Sequence, residues 1–153
     1  SKTSEVLFNM QVSIASIKEI RPLRLKILRP GFDERSVIYS CDKENTCFHI
    51  AAKDKEKVVG IATFYKCQHK EIKGINSFRL RGMATDTENQ KKGIGKKVLK
   101  YAFKELAKKK ADILWCNARL IAIPFYKKIG FKIHGDIFEI KNIGPHYDMY
   151  IKL

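Results

Sequence analysis

Two glycines set among lysines mark the segment of this sequence that is best suited to hold a ligand. Residues 89–100 read NQKKGIGKKVLK, and an apolar-periodic segment follows Gly93 and Gly95 at once. The first backbone N–H groups of a helix have no partner within that helix, and the helix dipole favours anions there. Glycines also let a ligand approach the main chain closely. The pattern predicts a cradle for a pyrophosphate, the alternative being a flexible basic turn that only caps a helix.

Two familiar phosphate-binding motifs do not account for these glycines. A P-loop requires GxxxxGK followed by Ser or Thr, and the sequence contains no such run. A dinucleotide fingerprint requires a third small residue three positions after Gly95, where Val98 stands. Both classes of site are therefore excluded, and a strand, a turn and a basic helix N-terminus remain.

The elements around this segment follow a mixed α/β pattern. The first helix is predicted after Ser16, through IKEIRPLRLKILR, and the second from Ile94 onward, with apolar residues three or four apart and lysines on the other face. The third is predicted over IAIPFYKKIG, with Pro124 in its first turn and Gly130 as its left-handed stop. Six further stretches complete the pattern, namely strands over residues 6–12, a hairpin in residues 46–67 around the charged turn 54–57, and strands over 75–85, 112–118, 131–140 and 146–153.

Composition places the chain among ordinary globular proteins with an unusual charge. Its 153 residues are 44% hydrophobic and 31% charged, which suits one domain over residues 1–153. No apolar run could span a bilayer and no leader pattern opens the sequence, so we expect a cytoplasmic protein with no membrane partner and with its four cysteines reduced. The net charge of +15 attracts polyanions, which include nucleic acids, phosphorylated cofactors and acidic proteins, or it reflects only a lysine-rich surface.

Two further motifs give the chain a family resemblance. Residues 90–95, QKKGIG, resemble the Q/R-x-x-G-x-G/A motif of the GNAT superfamily of N-acetyltransferases, and they follow a strand ending in Met83, Ala84 and Thr85, where that motif belongs. Asn117 at the end of a strand and FYKKIGF at residues 125–131 are similar to the second signature of the same family. The resemblance covers most of the chain and is closest to a small bacterial type of uncertain substrate.

The resemblance implies a fold, an activity and a cofactor. The fold is a mixed, largely antiparallel central sheet flanked by helices, in the order β-α-β-β-β-α-β-α-β-β. The implied activity is N-acetylation, with acetyl-CoA as the acyl donor and a primary amine as the acceptor, by direct transfer in a ternary complex. The pantetheine arm is expected to bond to main chain at Met83 and Thr85, and the pyrophosphate to the N–H groups from Lys91 to Lys96. Many relatives have glycine where this chain has Lys91, so its N–H can serve only if its φ is compatible.

The resemblance also assigns residues. The expected cofactor-binding residues are Met83, Ala84, Thr85, Gln90, Lys91, Lys92, Gly93, Ile94, Gly95, Lys96, Asn117 and Tyr126. Tyr126 is expected to be the general acid that protonates the departing CoA thiolate; otherwise it is an amphipathic core residue with its hydroxyl in water. No base stands out, and Glu139 and His146, near the closing strands that border the acceptor pocket, are the catalytic candidates for that role. Asn117 bonds the pantetheine arm or a water in this reading, or is a strand-end residue.

The acceptor and the other classes of function stay open. The basic charge favours a small amine or an acidic peptide over a polycation. Arg24, Arg29, Arg81 and Arg119 are candidate anchors for an acidic acceptor, but for each of them a solvated or ion-paired arginine is the favoured reading. A homodimer through sheet edges fits the resemblance. The rival readings are a nucleic-acid-binding module, which would use the lysine face of residues 94–110, and a CoA-binding protein without catalysis. The pairs Cys47/His49 and Cys67/His69 have the spacing of metal ligands, but their offset across the predicted hairpin argues against a metal site.

Overall fold

The computed structural model describes residues 9–153 and confirms the predicted order of elements. The strands are β1 Met10–Ala15, β2 Phe48–Asp54, β3 Lys57–Lys66, β4 Ser77–Thr85, β5 Ile113–Arg119, β6 Lys132–Ile140 and β7 Gly144–Lys152, and the helices are α1 Ile17–Leu23, α2 Ile94–Lys108 and α3 Ile123–Ile129. The first strand was predicted over residues 6–12, of which 6–8 lie outside the described residues. It continues to Ala15, because the capping residue Ser16 follows directly.

The strands form one seven-stranded sheet in the order β1-β2-β3-β4-β5-β7-β6. The pairs β1–β2, β2–β3, β5–β7 and β6–β7 are antiparallel, and β4 runs parallel to β5, so the sheet is mixed and largely antiparallel as predicted. The chain divides into two compact units: unit 1 contains Gly82–Glu105 and the chain up to Tyr65, and unit 2 contains Lys66–Arg81 and Leu106–Leu153. Each unit is described on its own. Among residues 9–153, no helix is long and apolar enough to cross a bilayer.

In unit 1, helix α1 begins at a complete capping box. The Glu19 N–H donates to Ser16 Oγ at 3.3 Å, and the Ser16 N–H donates to Glu19 Oε2 at 2.7 Å. Hydrogen bonds from Lys53 and from the Ser16 N–H lower the pKa of Glu19 to about 2. Because this pKa is depressed in the folded state, the contribution of Glu19 to stability is present above its ordinary pKa of 4.5 and is lost as the pH falls towards 2.

We expect Ser16→Ala to lower the free energy of unfolding by about 1 kcal/mol, since it removes the side-chain half of the capping box. Urea denaturation followed by circular dichroism measures the change. Ser13→Ala makes the same substitution at an exposed position of β1 and should stay within about 0.5 kcal/mol of the parent. Equal losses in the two variants would contradict the role of the cap.

Helix α1 continues as a wider π-helical turn, Arg24–Leu28, that carries one cation into the interior of unit 1. Pro22 lies just before this turn and has no N–H for the helical ladder. Apolar residues of α1, β2, β3 and β4 enclose this region, namely Ile20, Leu23, Ala51, Ile61 and Ala84. The helical segment ends at Arg29, before Pro30 and Gly31, as predicted.

The buried cation is Arg24, which is ion-paired, as the favoured reading of the sequence had it, and does not anchor an acidic acceptor. It is 0% exposed, and its two terminal nitrogens donate to both carboxylate oxygens of Asp42 at 2.9 Å. They also donate to Val37 O at 2.8 Å and to Thr63 Oγ1 at 2.7 Å, and the guanidinium lies 3.8 Å from the centre of the Tyr39 ring. The guanidinium is thus buried and hydrogen-bonded to groups of the chain itself, so a ligand has no access to it.

In unit 2, β5 pairs with β7 along its whole length and with β4 over three residue pairs, from Ser77↔Ile113 to Arg79↔Trp115. Strands β6 and β7 form the closing hairpin, and Ile72, Ile113 and Trp115 form a buried cluster. Helix α3 has Pro124 in its first turn and ends at Gly130, whose φ of +120° is the predicted left-handed stop. All four cysteines of the chain are free thiols.

Candidate active site

The glycine-rich segment of unit 1 is held in place by a buried aspartate. Asp86 follows β4, is 1% exposed, and accepts from Lys26 Nζ at 2.9 Å, while Lys57 Nζ lies 3.5 Å away. The hydrogen bond from Lys26 lowers the pKa of Asp86, so the carboxylate stays charged at neutral pH. The Asp86 N–H also donates to Val59 O on β3 at 2.8 Å. The short 3₁₀ turn Thr87–Asn89 and the loop that follows therefore start from a fixed point.

The loop itself has the backbone of an anion cradle. Lys91 adopts a φ of +63° and Gly93 a φ of +84°, so the position where many relatives carry glycine is left-handed here even with a lysine. The Lys97 N–H donates to Gly93 O at 3.1 Å and closes the first turn of α2. The N–H groups of Ile94, Gly95 and Lys96 precede that bond and have no acceptor within the helix. These residues fit a pyrophosphate on geometry and charge together, since Lys92 and Lys96 flank them.

A second glycine places the start of α2 against the sheet of unit 1. A Cβ added to Gly60 on β3 would lie 2.7 Å from Ile94 Cγ2, and Ile94 is 1% exposed. Only a residue without a side chain lets the helix N-terminus pack this closely on β3. The end of β4, where cofactor-binding residues are predicted, is tied to the loop before α2, because Gln90 Nε2 donates to Thr85 O at 3.1 Å. Ala84 is buried, and Met83 and Thr85 are half-buried.

In unit 2, Tyr126 of α3 is buried and hydrogen-bonded to Cys116 of β5. Its hydroxyl therefore has a protein partner, and the alternative in which it points into water is wrong. Burial raises the pKa of Tyr126 well above the usual value for a phenol, and the neighbouring thiol adds to this effect. Burial and the charge of Asp148 raise the pKa of Cys116 to about 12, although the hydrogen bond from Tyr126 acts in the opposite direction. Tyr126 is thus a protonated hydroxyl at any physiological pH.

Asn117, the next residue of β5, takes part in a polar chain that the sequence did not reveal. In the amide orientation that satisfies both groups, Asn117 donates to Asp148 Oδ1 at 2.7 Å and accepts from Arg79 Nη2 at 2.7 Å. The Arg79 guanidinium lies 4.7 Å from the centre of the Trp115 ring. Successive residues of a strand point to opposite faces, so Cys116 and Asn117 carry Tyr126 and Asp148 on opposite faces of β5.

The polar chain ends at His69, in the segment after β3. His69 is 5% exposed, and its Nε2 lies 2.8 Å from Asp148 Oδ2. The N–H groups of Glu71 and Ile72 donate to its Nδ1 at 2.9 and 3.0 Å. Both ring nitrogens are therefore engaged by protein groups, and this pairing argues against His69 as a metal ligand.

The two residues predicted as bases lie on the closing hairpin of unit 2. Glu139 is exposed and pairs with Pro145 across β6 and β7. His146 is 4% exposed, its Nδ1 donates to Gly144 O at 2.8 Å, and its ring stacks on Phe138 with centroids 6.0 Å apart. Asp148 lies two residues beyond His146, on the same face of β7. This alternation was the signal in the sequence that could have identified Asp148.

An open cavity of about 540 Å³ lies over this face of unit 2. Asp148, Asn117 and His69 line it together with the aromatic rings of Trp115 and Phe138. The remaining lining residues are Cys67, Gln68, Lys70, Glu71, Arg79, His134, Gly135 and Asp136. The cavity thus combines aromatic walls with a fixed carboxylate, which suits an organic molecule that carries a positive charge.

A family model for the acetyltransferase (GNAT) domain matches residues 44–133. The chain is also 30% identical over 141 residues to an uncharacterized N-acetyltransferase, YitI, of Bacillus subtilis (strain 168), which covers 92% of this chain and 95% of that protein. The chain belongs to the GNAT acetyltransferase family. It is an acetyl-CoA-dependent N-acetyltransferase, as the resemblance of its motifs predicted.

Solved structures share the GNAT fold with this chain. The IAA acetyltransferase from Bacillus cereus ATCC 14579 has a TM-score of 0.72 at 18% identity, with 94% of this chain and 99% of that chain covered. An aminoglycoside 6'-N-acetyltransferase complexed with coenzyme A has a TM-score of 0.68 at 16% identity, with 93% and 96% covered. The predicted fold class is therefore confirmed, and the identities are too low to transfer a substrate.

A candidate metal cluster in unit 1 competes with an ion pair. The ligand atoms of Cys41, Asp42 and Cys47 lie within 4.8 Å of one another. Both Asp42 oxygens already accept from Arg24. Cys47 directly precedes β2, and its Sγ lies 3.9 Å from His49 Nε2, but His49 is not part of this set of three.

Proposed function

We propose that this GNAT enzyme transfers the acetyl group of acetyl-CoA directly to a primary amine in a ternary complex, with residues 1–153 acting as one N-acyltransferase domain. The observation that carries the proposal is the pair of consecutive residues Cys116 and Asn117 on β5. Cys116 is hydrogen-bonded to the protonated Tyr126 hydroxyl on one face of the strand, and Asn117 lines the open cavity on the opposite face. A thioester at this point of β5 would have a proton donor for its sulfur on one face and room for an amine on the other.

The proposed cofactor contacts follow the assignments made from the sequence. The N–H groups of residues 91–96 bind the pyrophosphate at the N-terminus of α2, where the dipole and the lysine charges favour an anion. Main-chain groups of Met83 and Thr85 form hydrogen bonds with the pantetheine arm. Ala84 and Gln90 fix the end of β4 relative to the loop that follows it. In unit 2, Asn117 is proposed to bond the cofactor or a water, as the resemblance implies.

Starting from the neutral amine, the proposed chemistry needs one proton delivered to the CoA sulfur and one removed from the attacking nitrogen. The amine nitrogen attacks the thioester carbonyl carbon, a C–N bond forms, and the C–S bond breaks. The CoA sulfur leaves with the electron pair of that bond and takes the proton of Tyr126. Because burial raises the pKa of Tyr126, the hydroxyl keeps its proton until negative charge develops on the sulfur. No acyl-enzyme is needed, since the amine reaches the carbonyl directly.

Calorimetric titration of acetyl-CoA into the protein at moderate salt tests the cofactor part of this proposal. We expect saturable binding of acetyl-CoA and of free CoA, and no comparable binding of a short DNA duplex. Salt-steep binding to the duplex without binding of either CoA species would overturn the proposal and favour the nucleic-acid module.

A pair of glycine variants shows whether the loop is the binding element. Gly93→Ala should weaken acetyl-CoA binding about tenfold or more, because a side chain at φ +84° shifts the N–H groups that bond a charged phosphate. Gly31→Ala imposes the same strain at φ +80°, with no atom within 4 Å of the added methyl, and should leave the affinity unchanged. Equal affinities of the two variants would count against the cradle.

A further inference from the structure

We propose that Asp148 is the group that receives the proton of the acceptor amine, and that the cavity beside it binds small primary amines in their protonated form, with an aromatic or apolar body. This inference rests on the proposed function, because it names the base and the acceptor class for the same reaction. It replaces neither the cofactor loop nor the role of Tyr126.

The first support is the way in which the Asp148 carboxylate is held. Its side chain is 18% exposed, one oxygen accepts from His69 Nε2 at 2.8 Å, and the other accepts from Asn117 at 2.7 Å. A carboxylate oxygen has more than one lone pair, so each oxygen can accept one further donor from the cavity side. The two protein donors fix the carboxylate and leave it able to bind an ammonium group.

The second support is the tautomer of His69. Two backbone N–H groups donate to Nδ1, so this nitrogen presents its lone pair to them, and the ring proton of the neutral imidazole is on Nε2, facing Asp148. A histidine in this arrangement cannot itself accept the proton of a substrate. His69 is a positioning residue, and Asp148 is the group of this pair that can accept.

The third support is the place of Asp148 relative to the chemistry on β5. Asp148 pairs with Asn117 across β5 and β7, and Asn117 directly follows Cys116, the partner of Tyr126. Asp148, the proton acceptor, and Tyr126, the proton donor, thus lie on opposite faces of β5. Each is next to one of its consecutive residues, Asn117 and Cys116. An amine that attacks from the cavity face loses its proton on that face, while the sulfur leaves towards the other.

The cavity walls indicate the kind of acceptor. Trp115 and Phe138 provide flat apolar surface, and the acidic groups Glu71 and Asp136 line the cavity besides Asp148. The cations that line it are Lys70 and Arg79, and Arg79 is committed to Asn117 and to the Trp115 ring. His134 Nε2 lies 3.6 Å from Glu71 Oε1. These groups favour a compact cation over an acidic peptide.

The step balances as follows. The ammonium group of the acceptor donates a hydrogen bond to Asp148, and one proton passes to the carboxylate as the nitrogen lone pair forms the C–N bond. The C–S bond breaks, and the CoA sulfur takes the Tyr126 proton. The nitrogen then loses its second proton to solvent, so the products are an N-acetyl amide and CoA thiol. Solvent also returns a proton to Tyr126 and removes the one on Asp148.

The single tryptophan of the chain gives a direct readout, because Trp115 is a wall of the cavity. We would titrate phenethylamine, a cation at neutral pH, into the protein and follow the Trp115 indole N–H signal by NMR, with 2-phenylethanol as the neutral probe of the same shape. We expect the indole signal to shift with phenethylamine and to respond much less to the alcohol. Equal responses to the two probes, or none to either, would overturn the inference.

A substitution of Asp148 then tests its role separately from the roles of its neighbours. Asp148→Asn keeps the shape of the side chain and should weaken phenethylamine binding about tenfold or more, because it removes the charge that meets the ammonium. The rate of acetyl transfer to phenethylamine should fall with it. Asp54→Asn makes the same change at the end of β2 and should alter neither. Unchanged binding and rate in Asp148→Asn would refute the assignment.

Acetyl-CoA titrations of the same variants distinguish failure of this inference from failure of the proposed function. If Asp148→Asn binds acetyl-CoA like the parent but loses acetyl transfer, both ideas stand. If Glu139→Gln or His146→Gln loses the transfer while Asp148→Asn retains it, the base lies on the closing hairpin and only the inference fails. If the parent does not bind acetyl-CoA, the proposed function fails first, whatever phenethylamine does.

Discussion

Arg24→Met should lower the free energy of unfolding by about 3–5 kcal/mol, the largest stability change that we expect from a single substitution in this chain. The substitution leaves the carboxylate of Asp42, whose side chain is 3% exposed, without its partner. Burial raises the pKa of Asp42, and the hydrogen bonds and charge of Arg24 more than reverse this shift. Without Arg24 the burial effect remains, so the carboxylate must take up a proton or admit water. Thermal and urea denaturation measure the loss.

The exposed pair Arg35 and Asp33 provides a matched control. Arg35→Met removes the same side chain from an ion pair whose members are 87% and 61% exposed, and it should change the stability by less than about 1 kcal/mol. The double variant Arg24→Met, Asp42→Asn should recover part of the loss, because no buried charge is then left alone. A loss in Arg24→Met no larger than in Arg35→Met would contradict the structural role of the buried pair.

The acid side of the stability curve follows from the same pair. The pKa of Asp42 is lowered in the folded state, so its contribution to stability is present above its ordinary pKa and is lost as the pH falls through the folded value. Protonation of Asp42 and removal of Arg24 both end the ion pair, so the two effects should not add. Arg24→Met should therefore show a shallower loss of stability below pH 4 than the parent protein.

The fold could be predicted from the sequence because its signals are local. Ser16 and Glu19 form a capping box three residues apart, Pro124 and Gly130 bracket α3, and alternating apolar residues mark the strands. Each of these signals acts within a few residues, so no knowledge of distant contacts is needed. The turn of the first hairpin was predicted at residues 54–57 and lies between Asp54 and Lys57 for the same reason.

The site could be predicted only where it is also local. The loop before α2 is one continuous segment, so the sequence alone suggests it as the phosphate-binding segment, and Lys91 has the left-handed φ that this role requires. The Asp148 network instead joins β5, β7 and the segment after β3, residues 79 positions apart in the case of His69. An ion-paired Arg24 was the favoured reading, but its partner Asp42 could not be predicted, because no periodic pattern indicates a contact between distant residues. Contacts of this kind depend on how distant segments are aligned in the folded sheet.

Tyr126→Phe should lower kcat for acetyl transfer by about a hundredfold or more and leave the KM for acetyl-CoA nearly unchanged. The hydroxyl is the only atom removed, and in the proposed mechanism it acts when the C–S bond breaks, after the cofactor has bound. Without it the CoA sulfur must leave as a free thiolate from a buried place, where charge is costly. Release of CoA thiol in the presence of phenethylamine and other primary amines measures the rate, and calorimetry measures the affinity for acetyl-CoA.

Tyr101→Phe removes the same atom from a half-buried residue of α2 and should keep the parental rate. A structural role for Tyr126 predicts a different result from a catalytic one, because the hydroxyl also bonds Cys116. If the bond matters only for packing, Tyr126→Phe and Cys116→Ala should both lower the stability and affect the rate alike. If Tyr126 is the acid, Cys116→Ala should keep most of the rate, since the hydroxyl remains, whereas Tyr126→Phe should lose rate at unchanged stability. A parental rate in Tyr126→Phe would remove the acid from the mechanism and leave the thiolate to depart unassisted.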